Sequence, residues 1–284
     1  MNKYNGSLVI NTREYGFFSS LFQIIDNLRY CEINNLKPIM NIGDKFLYQN
    51  GNKNPWGEFF EDINDSVSEG DISEISQLTS NANFLIEDYM MVSPSRHDYH
   101  LKLWNILQSG NGQAFYDYRV QINAMISKYI VPIKEIKQEV EKNINDMNIG
   151  LNTLALHMRT TDYGHHDIDR YKSVVQDILN SKKYDNIFVA SDSIESIMII
   201  KNSFPNVRYY ETPLRSEKLT TMVPLCHIVN GNDKIKHGKD VLIETLLLSS
   251  CGRLVCINSN VSAMACFYSP SMDVVMVGRQ HGGG

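Results

Sequence analysis

The 284 residues suffice for two domains of ordinary size, and 43% apolar with 21% charged residues is typical of a protein with a sizeable buried core. The net charge of −5 excludes a global basic surface for nucleic acid or for an acidic membrane. No window approaches the roughly 18 uninterrupted apolar residues of a membrane span, and the first residues lack the apolar segment of a signal peptide. Five cysteines without a C-x-x-C pair predict reduced thiols, so we expect a cytoplasmic protein without a membrane span.

The N-terminal half begins with a strand–helix–strand pattern. "SLVI" at 7–10 predicts a strand, apolar residues at helical spacing predict a helix over 19–34, and "KPIMNIG" predicts a second strand. This order is the building block of a parallel sheet. "NFLIE" at 83–87 predicts a third strand, and the chain then reads as helical over 98–147, with Pro132 in the first turn of its clearest helix.

The second half repeats this alternation after a turn-rich segment, "DMNIGLN", at 146–152. We therefore place a domain boundary between 149 and 150, which divides the chain into 1–149 and 150–284. Strands are predicted at 153–158, 186–191, 207–211, 253–257 and 273–277, and helices at about 170–180, at 194–203, at 240–250 and from 261. This order predicts an α/β fold with a doubly wound parallel sheet, in which ligands bind beyond the carboxyl ends of the strands.

Three of these strand ends carry polar residues suited to an anionic ligand, and the first is "HMRTTD" at 157–162. The planar guanidinium of Arg159 can donate paired hydrogen bonds to a phosphate, with His157 and Asp162 orienting it. A salt bridge between Arg159 and Asp162 at a domain boundary explains the same pattern equally well.

The other two strand ends precede predicted helices. Asp192 follows the strand at 186–191 and either contacts a ligand or caps the next helix, a role that Ser193 can also fill. Ser259 and Asn260 follow the strand at 253–257 and Val261 begins the next helix, where free amides and the helix dipole favour an anion.

Glu244 lies within the apolar run "VLIETLLL", where a buried carboxylate must find hydrogen-bond donors. The N1–H and N2–H₂ edge of guanine would supply two, whereas a position on the outer face of the helix would need none. The sequence contains neither the phosphate-binding loop G-x-x-x-x-G-K-[ST] nor the dinucleotide fingerprint G-x-G-x-x-G. The constellation therefore combines an arginine and a helix N-terminus for phosphates with two carboxylates for a nucleoside.

Three segments in this order resemble motifs of the GDP-fucose-dependent fucosyltransferase superfamily, which holds α-1,6-, α-1,2- and protein O-fucosyltransferases. "LALHMRTTDY" resembles its His-x-Arg-Arg-x-Asp motif, and "NIFVASDSIESIMIIKNSFPN" and "DVLIETLLLSSCGRLVCINSNVS" are similar to the two segments that follow. The resemblance covers about 150–268.

The resemblance implies a GT-B-like fold, with two Rossmann-like, doubly wound domains that face a cleft. The N-terminal domain would take the glycan acceptor and the C-terminal domain the nucleotide sugar. The implied activity is an inverting, metal-independent transfer of fucose from GDP-fucose to a glycan hydroxyl, without a cofactor or a metal site. We expect no nucleic-acid partner, and peripheral association with the cytosolic face of a membrane during polysaccharide synthesis is a hypothesis.

The resemblance also implies roles for single residues. Arg159 would bind the β-phosphate and stabilise the leaving GDP, with His157 beside it. The remaining donor contacts would come from Asp192 for the nucleoside, from Glu244 for the guanine edge, and from Ser259, Asn260 and Val261 for the phosphates.

The segment after the first motif offers two candidates for the general base, Asp167 and His166. A solvated turn before the next helix is the alternative for these residues. Asp167 and Asp169 also form a literal D-x-D, which with His165 and His166 could hold a metal ion as in GT-A glycosyltransferases. Activity that survives EDTA would exclude the metal site.

Thr160 stands where the motif of the superfamily has its second arginine. This departure leaves two alternatives open. The chain could use another nucleotide sugar, or it could be a non-catalytic module that binds a nucleotide or a glycan.

Overall fold

The computed structural model describes residues 6–10, 12, 15–42, 46–51, 54–63, 98–161, 168–217 and 233–277. The strand predicted at 83–87 lies outside these ranges. The first half contains β1 (Gly6–Ile10), α1 (Phe17–Asn34), β2 (Leu36–Met40), a 3₁₀ turn (Pro55–Glu58), α2 (Asp98–Gln108), α3 (Gly112–Tyr129) and α4 (Lys134–Met147). The second half contains β3 (Thr153–Met158), α5 (Ile168–Ser181), β4 (Asn186–Ser191), α6 (Ile194–Ser203), β5 (Val207–Arg208), α7 (Asp233–Ser249), β6 (Arg253–Cys256), α8 (Asn260–Tyr268) and β7 (Asp273–Met276).

The N-terminal elements form the predicted strand–helix–strand unit. β1 and β2 pair in parallel, and α1 connects them. Asn35 ends α1 in the left-handed conformation, with φ 53°, which lets the chain turn directly into β2. Phe17 and Phe18 are buried at the start of α1, so both rings serve packing. Phe17 lies within 6 Å of the ring centroids of Phe46, Tyr48 and Phe59.

The second half is built on a five-stranded parallel sheet with the order β5-β4-β3-β6-β7. Each pair shares its direction, as the predicted βα alternation requires. β3 and β4 are buried along their whole length, which explains why both read as nearly unbroken apolar runs. Their side chains alternate between two apolar clusters on opposite faces of the sheet.

One of these clusters lies between the sheet and helices α5 and α6, through Tyr171, Val175 and Ile197. The other contains Leu242 of α7 and Phe267 of α8 together with residues of α1, α2 and α3. A single apolar core therefore joins the N-terminal elements to one face of the five-stranded sheet. No helix in the described part of the chain is long and apolar enough to cross a membrane.

Among the boundaries that differ from the sequence prediction are the start of α4, the end of β5 and the start of α7. α4 begins at Lys134, so Pro132 precedes this helix instead of lying in its first turn. β5 ends at Arg208, three residues before the predicted end at 211. α7 begins at Asp233, seven residues before the predicted start at 240. Its first turns carry no apolar residues at helical spacing, and they contact the N-terminal half through His237, which stacks on Tyr48.

Candidate functional site

The candidate site lies where the strand order of the sheet reverses, between β3 and β6. From β3 the chain continues through α5 to β4 on one side, whereas β6 and β7 lie on the other. The helices of the two sides cover opposite faces, so a crevice opens beyond the carboxyl ends of β3 and β6. The predicted site residues at these two strand ends therefore lie at the same edge of the sheet.

His157 is the penultimate residue of β3, and it contacts the first turn of α8. Its Nδ1 lies 2.7 Å from the Oγ of Ser262 and 3.4 Å from the Oγ of Ser259. The Ser259 hydroxyl donates to the Oγ of Ser262 at 3.0 Å. The tautomer of His157 sets which of Nδ1 and the Ser262 hydroxyl donates in this bond. The three buried side chains join the two strand ends.

Ser259 is the N-cap of α8, and its hydroxyl accepts from the amide of Ser262 at 3.0 Å. The amides of Asn260 and Val261 precede the first helical hydrogen bond and so have no carbonyl partner within the helix. They add to the positive end of the helix dipole at the crevice. The Oδ1 atoms of Asn258 and Asn260 are buried without a hydrogen-bond partner among the described residues.

Arg159 is the first residue beyond β3, and it is partly buried. The next two residues bind Asp192, which follows β4. Thr160 donates to Oδ1 from its amide at 2.9 Å and from its hydroxyl at 3.3 Å. Thr161 donates to Oδ2 from its amide at 3.3 Å and from its hydroxyl at 2.6 Å. Asp192 thus fixes the backbone beside Arg159, and Ser193 is the N-cap of α6.

Glu244 lies on α7 and is largely buried, with a side chain 14% exposed. Its Oε1 accepts a hydrogen bond from the Nη2 of Arg215, which lies in the loop after β5. Burial raises the pKa of Glu244 to about 7, and Arg215 limits this rise. Glu244 therefore has a donor inside the protein, in place of the outward-facing position that the sequence left open.

Sequence reasoning did not identify Arg215, Ser262 or Thr161 as parts of the site. Arg215 contacts Glu244 across 29 positions of sequence, and Ser262 contacts His157 across 105. Periodicity gives no signal for contacts at such separations. Ser262 alone could have been found, since it lies three residues after Ser259, which the sequence places at the start of the same helix.

The predicted general bases, His166 and Asp167, lie outside the described residues, as do Asp162 and His165. Asp169 lies on α5, where its Oδ1 pairs with the Nζ of Lys172 at 2.7 Å on the protein surface. Within the described ranges, no three His, Cys, Asp or Glu side chains come together as a metal site would require.

The fold is that of known fucosyltransferases over nearly the whole chain. The fucosyltransferase NodZ from Bradyrhizobium matches with a TM-score of 0.58 and 13% identity, over 97% of this chain and 95% of that one. NodZ α-1,6-fucosyltransferase soaked with GDP-fucose matches with a TM-score of 0.55 and 15% identity, over 94% of each chain.

A mutant of Arabidopsis thaliana FUT1 in complex with GDP matches with a TM-score of 0.56 and 11% identity, over 94% of this chain and 70% of that one. No family profile matches the sequence, and no curated protein matches it. At these identities the similarity establishes the fold, and the residues at the crevice must carry any argument about activity.

Proposed function

We propose that this protein is an inverting, metal-independent glycosyltransferase that moves fucose from GDP-fucose to a hydroxyl of a glycan. One observation carries this proposal. An arginine and the N-terminus of α8 meet at the switch point of a sheet whose fold is that of NodZ, a protein soaked with GDP-fucose in one of the matching structures. A diphosphate is the ligand that best fits an arginine beside free helix amides.

The diphosphate would bind between the ends of β3 and β6. Arg159 supplies a guanidinium, Ser259 orients the first turn of α8, and the amides of Asn260 and Val261 complete the anion site. His157 lies beside them at the end of β3 and is tied to the first turn of α8 through Ser262. This assignment keeps the roles that the sequence resemblance implies for these five residues.

Glu244 would recognise the base. Its Oε1 is held by Arg215, and Oε2 remains to accept from the N1–H and N2–H₂ edge of guanine. The prediction that Asp192 contacts the nucleoside stays a prediction. Both of its oxygens already accept two hydrogen bonds each from Thr160 and Thr161, so we assign it the positioning of the segment that carries Arg159.

In the reaction, the acceptor oxygen forms a bond to C1 of the sugar while the bond from C1 to the β-phosphate oxygen breaks, which inverts the anomeric centre. The acceptor hydroxyl gives its proton to a general base, for which His166 and Asp167 remain the predicted candidates. Negative charge develops on the departing GDP, where Arg159 and the amides of α8 act. Each such preorganised donor can contribute roughly 3–4 kcal/mol to the rate.

A reducing, cytoplasmic location remains part of the proposal. Four described cysteines, Cys31, Cys251, Cys256 and Cys266, are buried free thiols. Burial raises the pKa of Cys31 to about 11 and of Cys266 to about 12, which keeps both protonated and unreactive. Cell fractionation that finds the protein in an oxidising compartment would overturn the location.

Nucleotide binding in EDTA tests the proposed function. At about 100 times its dissociation constant, GDP should raise the unfolding free energy by roughly 2.7 kcal/mol, with smaller effects from UDP and ADP. Arg159→Ala should abolish the shift. Arg253→Ala is the matched control, since Arg253 pairs with Asp273 at the opposite, amino-terminal end of the strands.

A wild-type protein that binds none of the three nucleotides would overturn the proposed function. The position of Thr160 favours one second candidate, a nucleotide-binding module without activity. GDP binding without hydrolysis or transfer of GDP-fucose would support that candidate.

A further inference from the structure

Arg215 is a buried cation beside the carboxylate that is proposed to recognise the base. Its side chain is only 4% exposed. Nε donates to the carbonyl of Ser191 at 3.0 Å, at the end of β4, and Nη1 donates to the carbonyl of Pro213 at 3.2 Å. Nη2 donates to Oε1 of Glu244. Three N–H groups that donate to three different acceptors fix the orientation of the guanidinium. The guanidinium in turn fixes the position of Oε1 of Glu244.

The carboxylate of Glu244 is held asymmetrically. Oε1 is bound by Arg215, and within the described part of the chain this is the one hydrogen bond that the carboxylate makes. The side chain nevertheless keeps 14% of its surface exposed. Because Oε1 is fixed by Arg215, Oε2 has a fixed orientation. The carboxylate can therefore accept a hydrogen bond from a ligand in one defined direction.

Three charged groups act on Glu244 from the elements around it: Arg215 from the loop after β5, Asp240 from α7 itself, and Asp192 from the end of β4. Asp240 is paired with Lys236 at 2.7 Å, which offsets its effect. Arg215 is therefore the one nearby group of this set that favours the ionised form. Burial and the two other carboxylates oppose ionisation, and burial raises the pKa of Glu244 to about 7.

We propose that Arg215 is a positioning residue that determines base selectivity, because it holds Glu244 as an ionised acceptor for a base with adjacent ring N–H and amine donors. This inference rests on the proposed function. An ionised carboxylate accepts from both N1–H and N2–H₂ of guanine, whereas adenine presents an unprotonated N1 that repels it. A neutral carboxyl group can donate to N1 of adenine and accept from its amine. Loss of Arg215 therefore shifts preference from guanine towards adenine.

The test compares binding of GDP, ADP and inorganic pyrophosphate from about pH 5.5 to about pH 8.5 by calorimetry. The proteins are the wild type, Arg215→Met and the double variant Arg215→Met/Glu244→Gln. Arg253→Met is the matched control, an arginine of another ion pair that lies far from the carboxyl ends of the strands. The double variant removes both buried charges together, so it leaves neither one unpaired.

In the wild type, GDP affinity should fall as the pH drops below about 7, since protonation removes the acceptor. Arg215→Met should raise the pH at which affinity is lost by about one unit or more and lower the GDP-to-ADP affinity ratio at pH 7 by roughly tenfold or more. Pyrophosphate binding and the Arg253→Met protein should be unchanged. The double variant should bind GDP with a weak affinity that does not depend on pH.

The failures of the two proposals are distinguishable. A wild type that binds neither nucleotide nor pyrophosphate overturns the proposed function. GDP binding that requires Arg159, with the same pH profile and base preference in Arg215→Met as in the wild type, overturns only the role of Arg215. Should Arg215→Met not fold, a double variant with the wild-type pH profile overturns that role as well.

Discussion

Thr160 stands where the similar fucosyltransferase motif has a second arginine, and its contacts show how this chain fills that position. Its side chain is 4% exposed, and its hydroxyl lies 3.3 Å from Oδ1 of Asp192 and 3.0 Å from the Oγ of Ser196. Together with Thr161 it replaces a charged contact by four hydrogen bonds to one carboxylate. Neutral donors thus satisfy both oxygens of Asp192 beside Arg159.

Restoring the arginine should weaken the protein instead of improving the site. Thr160→Arg would force a long cation into a closed space and displace the hydroxyl from Asp192 and Ser196, at a cost of about 1–3 kcal/mol in unfolding free energy. Urea unfolding measures this cost. Thr160→Ser, which keeps the hydroxyl, should remain within about 1 kcal/mol of the wild type. An arginine variant of normal stability with tighter GDP binding would contradict this account.

At the scale of whole elements, packing decided which boundaries the sequence could predict. β3 and β4 were predicted to the residue because both are buried throughout and are bounded by polar turns. The strand-end residues His157 and Arg159 followed from the bounds of β3, and Ser259 from the strand predicted at 253–257. The start of α7 could not be predicted, because its first turns are held by tertiary contacts that leave no apolar period. Arg215, the partner of Glu244, could not be predicted for the same reason, since it lies in a loop without hydrophobic periodicity.

Gly238 in α7 allows this helix to approach the N-terminal aromatic residues closely. A Cβ at this position would lie 2.8 Å from a ring carbon of Phe59 and 3.1 Å from the Cβ of Tyr48. Alanine normally favours a helix over glycine by about 0.5–1 kcal/mol, whereas overpacking costs about 1–3 kcal/mol. The clash with Tyr48 involves an atom next to the backbone and cannot be relieved by rotation of a side chain, so we expect the clash to dominate.

Gly238→Ala should therefore lower the unfolding free energy by about 1–2 kcal/mol net. The matched control is Gly112→Ala at the start of α3, where an added Cβ meets nothing within 4 Å. That variant should be neutral or slightly more stable. Thermal unfolding of both proteins measures the contrast, and equal stabilities would show that α7 does not pack on Phe59 and Tyr48 as described.

At the scale of the whole molecule, the two halves share structure across the predicted boundary at 149/150. Arg119 of α3 donates to the carbonyl of Met272 at 2.7 Å, and Asn123 donates to the carbonyl of Phe267 at 2.8 Å. The second contact satisfies a carbonyl in the last turn of α8, whose N-terminus forms the candidate anion site. N-terminal helices thus hold α8 in place beneath the crevice, which links the stability of the first half to the geometry of the site.

His237 makes this association of the two halves sensitive to acid. The ring is 8% exposed and stacks on Tyr48 of the N-terminal half, with centroids 5.8 Å apart. Burial, with a smaller effect of Lys236, lowers the pKa of His237 from 6.5 to about 4. Between these values the unfolded chain binds a proton that the folded protein excludes, so stability falls as the pH drops from about 6.5 to about 4.

The loss attributable to His237 should reach about 2–3 kcal/mol near pH 4. His237→Phe keeps an aromatic ring against Tyr48 without a titrating group, and both proteins retain Glu244, whose raised pKa acts in the opposite direction. The difference in unfolding free energy between the two proteins, measured by urea at about pH 7 and about pH 4.5, therefore isolates the histidine. The unfolding free energy of His237→Phe should rise relative to that of the wild type as the pH falls. A difference that does not change with pH would mean that His237 binds a proton as readily in the folded protein as in the unfolded chain, and that this contact does not make stability sensitive to acid.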